Sequence, residues 1–159
     1  WRGAEVVLVG RHPERLAKFP PGLYRHTVNA RQESWPDQVQ WLLPQGVQVA
    51  VDTVGSVAVL EDFTALVRKN GHIVSAGFYG TRDSLALQPL RYGERSVDLV
   101  SGWSQTRMDQ TRFLIAAGHL QTLPLLTHRF PVAQAAEAWR LLQTRSEPVL
   151  GVMLDWDDR

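Results

Sequence analysis

Cysteine is absent from the 159 residues, which excludes disulfides, thiolate metal sites and cysteine nucleophiles together. No apolar run approaches the roughly 20 residues that a membrane-spanning helix requires. Arg2 and Glu5 also leave no apolar stretch for a secretory signal at the start of the sequence. These absences favour a cytoplasmic protein, in a reducing compartment, with no membrane partner.

Neither sign of charge is in excess. The 17 basic and 16 acidic residues give a formal net charge of +1, so nothing electrostatic favours a nucleic-acid partner. The histidines lack the clustered or i,i+4 spacing of a metal site; they are His12, His26, His72, His119 and His128. We therefore expect no metal site within these residues.

The sequence does contain an alternation of apolar runs and helical patterns that is typical of a parallel α/β fold. Hydrophobic residues make up 44% and charged residues 21%, as in ordinary globular domains. The predicted strands are Val6–Val9, Leu23–Val28, Val47–Asp52, His72–Ala76, Val97–Val100 and Val149–Leu154. The predicted helices begin at His12, Glu33, Val57, Asp109 and Pro131, and the third of them ends at Arg68.

Some finer features are also predicted. Asn70 and Gly71 should end the third helix in a left-handed conformation, and residues 84–90 should form a loop with an extended patch. The residues predicted to face inward on the last two helices are Phe113, Leu114 and Ala117, and then Val132, Ala135, Ala136, Trp139 and Leu142.

Several segments, taken in order, resemble the medium-chain dehydrogenase/reductase family, which includes the zinc-type alcohol dehydrogenases. They are Gly3–Leu16, Val51–Gly55, Lys69–Gly77, Thr127–Pro131, Ala135–Trp139 and Leu150–Trp156. Within the family, Gly77-Phe78-Tyr79-Gly80 and Leu154-Asp155-Trp156 resemble the branch that contains hydroxyethyl-bacteriochlorophyllide dehydrogenase.

The resemblance implies a Rossmann-type, doubly wound parallel sheet that is truncated at its N-terminus. In the family, a strand and a G-x-G-x-x-G loop precede the strand that here begins at Glu5, and no G-x-G-x-x-G occurs in this sequence. We therefore expect residues 1–126 to form a partial dinucleotide-binding domain without its first strand and glycine-rich loop. Residues 127–159 should form a return segment toward an absent catalytic domain, which would carry any zinc.

The end of the first predicted strand suggests which cofactor is bound. Many Rossmann domains place an acidic residue there to accept hydrogen bonds from the adenosine ribose, but this sequence has Gly10 followed by Arg11. A guanidinium can pair with a 2′-phosphate, so we expect NADP, or else NAD, with Arg11 as the anchor and His12 and Arg15 assisting. The alternative is that both arginines simply face water at a helix start.

Two further turns follow the carboxyl ends of predicted strands, where ligands bind in open α/β sheets. They are Thr53-Val54-Gly55 and Ala76-Gly77-Phe78. In the resembling enzymes these turns line the cofactor, and glycine permits a close backbone approach. The alternative is that Gly55 and Gly77 serve only the turns. Asp52 is expected to bind backbone rather than to act as a catalytic acid, and no catalytic residue is assigned.

The resemblance implies a dehydrogenase or reductase that transfers a hydride between NADP(H) or NAD(H) and a small-molecule alcohol or carbonyl. A zinc-free quinone-reductase-like enzyme, a methyltransferase-like domain and a non-catalytic Rossmann domain remain alternatives. In the resembling enzymes the sheet edge near residues 97–100 pairs in a dimer, so a homodimer is expected.

Overall fold

A computed structural model of the protein describes residues 3–32, 34–144 and 146–156. The described residues form two compact units. The terminal unit comprises those of 1–29 and 104–159, and the central unit comprises those of 30–103. The predicted domain boundary between residues 126 and 127 stays a prediction. No helix in the described ranges is both long and apolar enough to cross a membrane.

Strands and helices alternate along most of the chain, as the sequence predicts. In chain order they are β1 (Val7–Gly10), α1 (Pro13–Leu16), β2 (His26–Asn29), α2 (Trp35–Leu42), β3 (Val47–Asp52), α3 (Val57–Leu66), β4 (Val67–Ser75), α4 (Leu87–Tyr92), β5 (Ser96–Leu99), α5 (Gln105–Ala116), β6 (His128–Pro131), α6 (Ala135–Thr144) and β7 (Val152–Asp155).

The central unit is built on a parallel sheet with the strand order β3-β4-β5. Because Asp52 pairs with Ser75, and Ser75 pairs with Leu99, all three strands end at the same level. The turns that follow β3 and β4 are thereby brought to one edge of the sheet. This is the edge at which open α/β sheets bind ligands.

The core of the central unit lies between the sheet and helix α3. Leu60, Phe63 and Leu66 are buried on one side of α3, and Ile73 on β4 is fully buried. The ring of Trp35 on α2 meets the ring of Phe63 edge-to-face, with centroids 6.3 Å apart. Each such side chain contributes about 1.5–3 kcal/mol when fully buried, so this layer fixes the sheet that carries the turns.

The junction of α3 and β4 differs from the prediction. The predicted helix runs to Arg68, but α3 ends at Leu66 and β4 begins at Val67. Val47 on β3 pairs with Val67 on β4, and Val49 pairs with His72. Between these two pairs β3 advances by two residues and β4 by five, so β4 contains three extra residues. The extra residues form a bulge, and the predicted left-handed Asn70, with φ +60°, lies inside it rather than at a helix end.

Helix α4 is a second difference, because residues 84–90 were expected to be a loop with an extended patch. Pro89 lies in the first turn of α4, where a helix does not need the missing backbone N–H. Leu90 is buried, which supplies the packing that fixes this short helix. The proline therefore does not prevent a helix here.

The terminal unit contains two separate pairs of parallel strands. Strand β1 pairs with β2, with Val9 beside Val28, and β6 pairs with β7, with Phe130 beside Leu154. The hydroxyl of Thr127 accepts the backbone N–H of Leu150 at 3.1 Å, which ties the start of β6 to the segment before β7. The strands predicted over residues 6–9, 23–28 and 149–154 are confirmed as β1, β2 and β7, although β2 and β7 each begin three residues later than predicted.

The predicted inner faces of the terminal-unit helices are partly wrong. Phe113 and Ala117 on the α5 segment are exposed, and α6 buries Ala138 and Leu141 while Trp139 is 64% exposed. The prediction extended one helix from Pro131, but residues 132–134 form a 3₁₀ turn before α6 begins. Val132 therefore lies outside α6 and does not continue the α-helical stripe of Ala135 and Trp139.

Candidate functional site

Asp52 organises the turn that follows strand β3. It is the last residue of that strand and only 2% exposed. Its Oδ1 accepts the backbone N–H of Val54 at 2.8 Å, and its Oδ2 accepts the N–H groups of Gly55 and Ser56 at 3.0 and 3.3 Å. The predicted role of Asp52, hydrogen bonding to backbone, is therefore confirmed.

The same carboxylate is bound by Tyr79, whose phenol O–H donates to Oδ2. Burial alone raises the pKa of Asp52, but the hydrogen bonds from Tyr79 and from the three backbone N–H groups outweigh it and hold that pKa below its usual value. Burial, and then the hydrogen bond to Asp52, raise the pKa of Tyr79. The pair is thus a carboxylate with a protonated phenol beside it.

The two turns, residues 52–56 and 76–80, pack directly against each other and are called the paired turns below. A Cβ at Gly77 would lie 2.5 Å from Cα of Gly55, and a Cβ at Gly55 would lie 2.6 Å from the carbonyl carbon of Phe78. Gly55 also has φ +83°. The close contact between the two turns is therefore enough to require glycine at both positions, and no bound ligand is needed to explain these residues.

Asp52 is buried and Tyr79 turns toward it, whereas the side chains predicted to contact a ligand are exposed. Phe78 is 97% exposed and Val54 is 64% exposed, and Thr53 and Ala76 are exposed as well. The structure thus brings together all six of the site residues predicted on the two turns, at the carboxyl edge of the central sheet. They form a rim of rigid backbone that carries an aromatic ring.

The predicted site residues of the terminal unit lie at the end of β1 and in α1; residues 10–15 are called the arginine turn below. Arg11 is exposed, and Nε of Arg15 is buried without a hydrogen-bond partner among the described residues. Nδ1 of His12 lies 3.1 Å from a carboxylate oxygen of Glu14. A Cβ at Gly10 would lie 3.1 Å from Cδ2 of Leu16, so a larger residue there would press on Leu16.

Sequence reasoning missed Tyr79 and Glu14. Tyr79 is 27 positions from Asp52, and only the tertiary contact of the paired turns shows its role. Glu14 could have been noticed, because a carboxylate three residues after Arg11 on a helix start weakens the local positive charge.

A metal site was not expected in these residues. Among the described ranges, no three histidine, aspartate or glutamate side chains lie close enough together to hold a metal ion. His128 contacts the hydroxyl of Thr127 at 2.8 Å through Nδ1 and a carboxylate oxygen of Glu147 at 3.4 Å through Nε2. These contacts tie the start of β6 to its surroundings.

Comparison with known proteins gives consistent results. A family model described as zinc-binding dehydrogenase matches residues 24–148. A 2-desacetyl-2-hydroxyethyl bacteriochlorophyllide A dehydrogenase of Rhodobacter capsulatus is 34% identical over 109 residues, which are 67% of this chain and 34% of that protein. The predicted family and the predicted branch resemblance are both confirmed.

Solved structures give the same fold. An alcohol dehydrogenase from E. coli CFT073, complexed with NADH, superposes with a TM-score of 0.82 at 19% identity, over 93% of this chain and 43% of that one. Alcohol dehydrogenase TADH from Thermus sp. ATN1 gives a TM-score of 0.80 at 21% identity, over 96% and 45%. The predicted Rossmann-type α/β fold is confirmed, and the chain spans less than half the length of these proteins.

Proposed function

The chain belongs to the zinc-binding dehydrogenase family, and from this premise we propose that it is the dinucleotide-binding part of an NAD(P)-dependent, alcohol dehydrogenase-like oxidoreductase. The observation that carries the proposal is the pair of locked turns at the carboxyl ends of β3 and β4. Open parallel sheets bind nucleotides outside this edge. Family membership argues against the methyltransferase-like alternative.

A nicotinamide dinucleotide, when bound, supplies the hydride donor or acceptor of the reaction. The paired turns would contact it through Thr53, Val54, Gly55, Ala76, Gly77 and Phe78. The turns would offer the cofactor their backbone and the exposed ring of Phe78. The carboxylate of Asp52 is already hydrogen-bonded to the backbone of residues 54–56. Placing a cofactor against rigid groups reduces the entropy that binding costs.

The arginine turn would recognise the adenosine side of the cofactor, and we propose NADP(H) over NAD(H). The arginine turn contains two positively charged guanidinium groups, those of Arg11 and Arg15, and one carboxylate, that of Glu14, so its net charge is positive. The buried Nε of Arg15 has no hydrogen-bond partner among the described residues, so it is a donor to which a phosphate oxygen fits. Gly10 adds no carboxylate that would repel the phosphate.

The substrate class is a small-molecule alcohol or carbonyl compound, and we assign no catalytic residue within this chain. The described residues provide no ligand set for zinc. A zinc-using enzyme and a zinc-free, quinone-reductase-like enzyme therefore both fit them. We also expect a homodimer, because β5 is an edge strand of the central sheet and Leu99 on it is 78% exposed. A cytoplasmic location belongs to the same proposal.

The test is to titrate the complete gene product with NADPH and with NADH, following the fluorescence of the reduced nicotinamide. We expect saturable binding of both, tighter for NADPH, and hydride transfer to or from an alcohol or carbonyl panel. Binding of neither dinucleotide would overturn the proposal and favour the non-catalytic alternative. Equal affinity for the two would leave the family function intact and refute the NADP(H) assignment.

A further inference from the structure

Tyr79 is the side chain through which the two paired turns share one carboxylate. Asp52 holds the backbone of residues 54–56, and Tyr79, on the other turn, donates to the same Oδ2 that accepts from Gly55 and Ser56. Any movement of one turn against the other therefore changes hydrogen bonds of a buried, charged group. Hydrogen bonds to charged groups are among the stronger ones in proteins.

The turn 76–80 has few other fixed points. At its start, the N–H of Ala76 donates to the backbone carbonyl of Asp52 at 2.8 Å. At its end, the N–H of Gly80 donates to Asp83 at 2.8 Å, in an exposed loop. Between these ends lie the glycine contact of the paired turns and the phenol of Tyr79. Phe78, which precedes Tyr79, is almost wholly exposed, so the phenol is the nearest side-chain anchor of that ring.

A proton-transfer role for Tyr79 suits the structure less well. Burial and the neighbouring Asp52 raise the pKa of its phenol, whereas a catalytic acid or base works best with a pKa near the operating pH. A phenol that stays protonated is a permanent donor. This is the property that a fixed link between two turns requires.

We propose that Tyr79 is a positioning residue which, through Asp52, holds the turn 76–80 and its Phe78 ring where they meet the bound nicotinamide dinucleotide. The inference rests on the proposed function of the paired turns. It adds a residue that contacts no cofactor itself and acts only on the group beside it.

The first test is Tyr79→Phe in the complete gene product, with Tyr92→Phe as the matched control. Tyr92 is an exposed tyrosine of α4 in the same unit. Loss of the hydrogen bond to the charged Asp52, together with the weaker one to Ser75, should raise the KM for the dinucleotide about tenfold. The KM for the alcohol or carbonyl substrate should change less than about threefold, and Tyr92→Phe should change neither.

The second test is a double-mutant cycle of Tyr79→Phe with Asp52→Asn. If the phenol acts through the carboxylate, the effects on the dinucleotide KM are not additive, and the second substitution adds less than about threefold to the first. A lower melting temperature of Tyr79→Phe with an unchanged dinucleotide KM would overturn the inference, and so would additive effects. Should Asp52→Asn fail to fold, Tyr79→Phe alone decides.

The two proposals fail in different ways. If the unmodified protein binds neither NADPH nor NADH, the proposed function is wrong and the positioning role falls with it. If it binds a dinucleotide and Tyr79→Phe binds equally well, the function stands and only the positioning role is wrong.

Discussion

The two regions assigned to the cofactor are built in opposite ways. The arginine turn relies on charged side chains, with Arg11 exposed and His12 engaged by Glu14. The paired turns rely on backbone, held by the buried carboxylate of Asp52 and by the contact of Gly55 with Gly77. A change of the exposed Arg11 in the first region should therefore alter selectivity and leave folding intact. A change in the second should alter folding as well as binding.

The largest effect on stability is expected from Gly55→Ala. A Cβ would overlap the backbone of Phe78, and Gly55 has a left-handed φ. Overpacking costs about 1–3 kcal/mol and the left-handed conformation about 1–2 kcal/mol. We expect a loss of about 2–5 kcal/mol in the free energy of unfolding, measured by urea denaturation of the complete gene product.

Gly102→Ala is the matched control for this prediction. Gly102 has a similar left-handed φ of +64°, but a Cβ there would meet nothing within 4 Å. It should therefore lose only the conformational part, about 1–2 kcal/mol. Equal losses for Gly55→Ala and Gly102→Ala would mean that the paired turns are not locked by their contact.

A smaller loss, about 2 kcal/mol, is expected from Asp52→Asn at neutral pH, because an amide replaces one acceptor oxygen by a donor that faces N–H and O–H groups. The difference from the unmodified protein should shrink in acid. The pKa of Asp52 is lowered in the folded state, so its contribution is present above the usual value of about 4 and is lost as the pH falls toward the folded pKa.

Urea denaturation at pH 7 and pH 3 measures the free energy of unfolding of Asp52→Asn and of the unmodified protein, and the difference between them should be smaller at pH 3. Asp109→Asn is the control, since Asp109 is an exposed residue of α5 whose Oδ1 accepts from the exposed Gln105 side chain at 2.9 Å, and such surface substitutions change stability by about 0.5 kcal/mol or less. A gap between Asp52→Asn and the unmodified protein that stays constant from pH 7 to pH 3 would show that the charge of Asp52 does not support the turn.

The features that the sequence predicts correctly are those whose contacts are local in the chain. The strand Val47–Asp52 matches the structure, because a run of apolar residues closed by a turn signal carries its own boundaries. The backbone-binding role of Asp52 is also local, since its partners lie two to four residues away. The glycines of the paired turns were recognised at strand ends, although the tertiary contact that requires them was not.

The remaining features depend on distant contacts or on a small geometric change. Tyr79 reaches across 27 positions to Asp52, and no periodicity encodes that. The helix predicted from Pro131 is a 3₁₀ turn at Val132–Gln134 followed by α6, and α6 buries Leu141 in place of Leu142. Sequence patterns specify local periods well, whereas the face that a helix buries depends on the elements that pack against it.

The smallest effect on stability, and the sharpest test of the comparison, is expected from Arg11→Ala. Arg11 is exposed, so the free energy of unfolding should change by less than about 0.5 kcal/mol. Loss of a charge-assisted pair with a 2′-phosphate should nevertheless weaken NADPH binding by about tenfold to a hundredfold and leave NADH binding within about twofold.

The measurement is a parallel fluorescence titration with the two dinucleotides. The control is Arg91→Ala, because Arg91 is an exposed arginine of α4. Equal weakening of both dinucleotides would mean that Arg11 contacts a part they share. No change in either would mean that the guanidinium only faces water, and the arginine turn would then lose its assignment while the paired turns kept theirs.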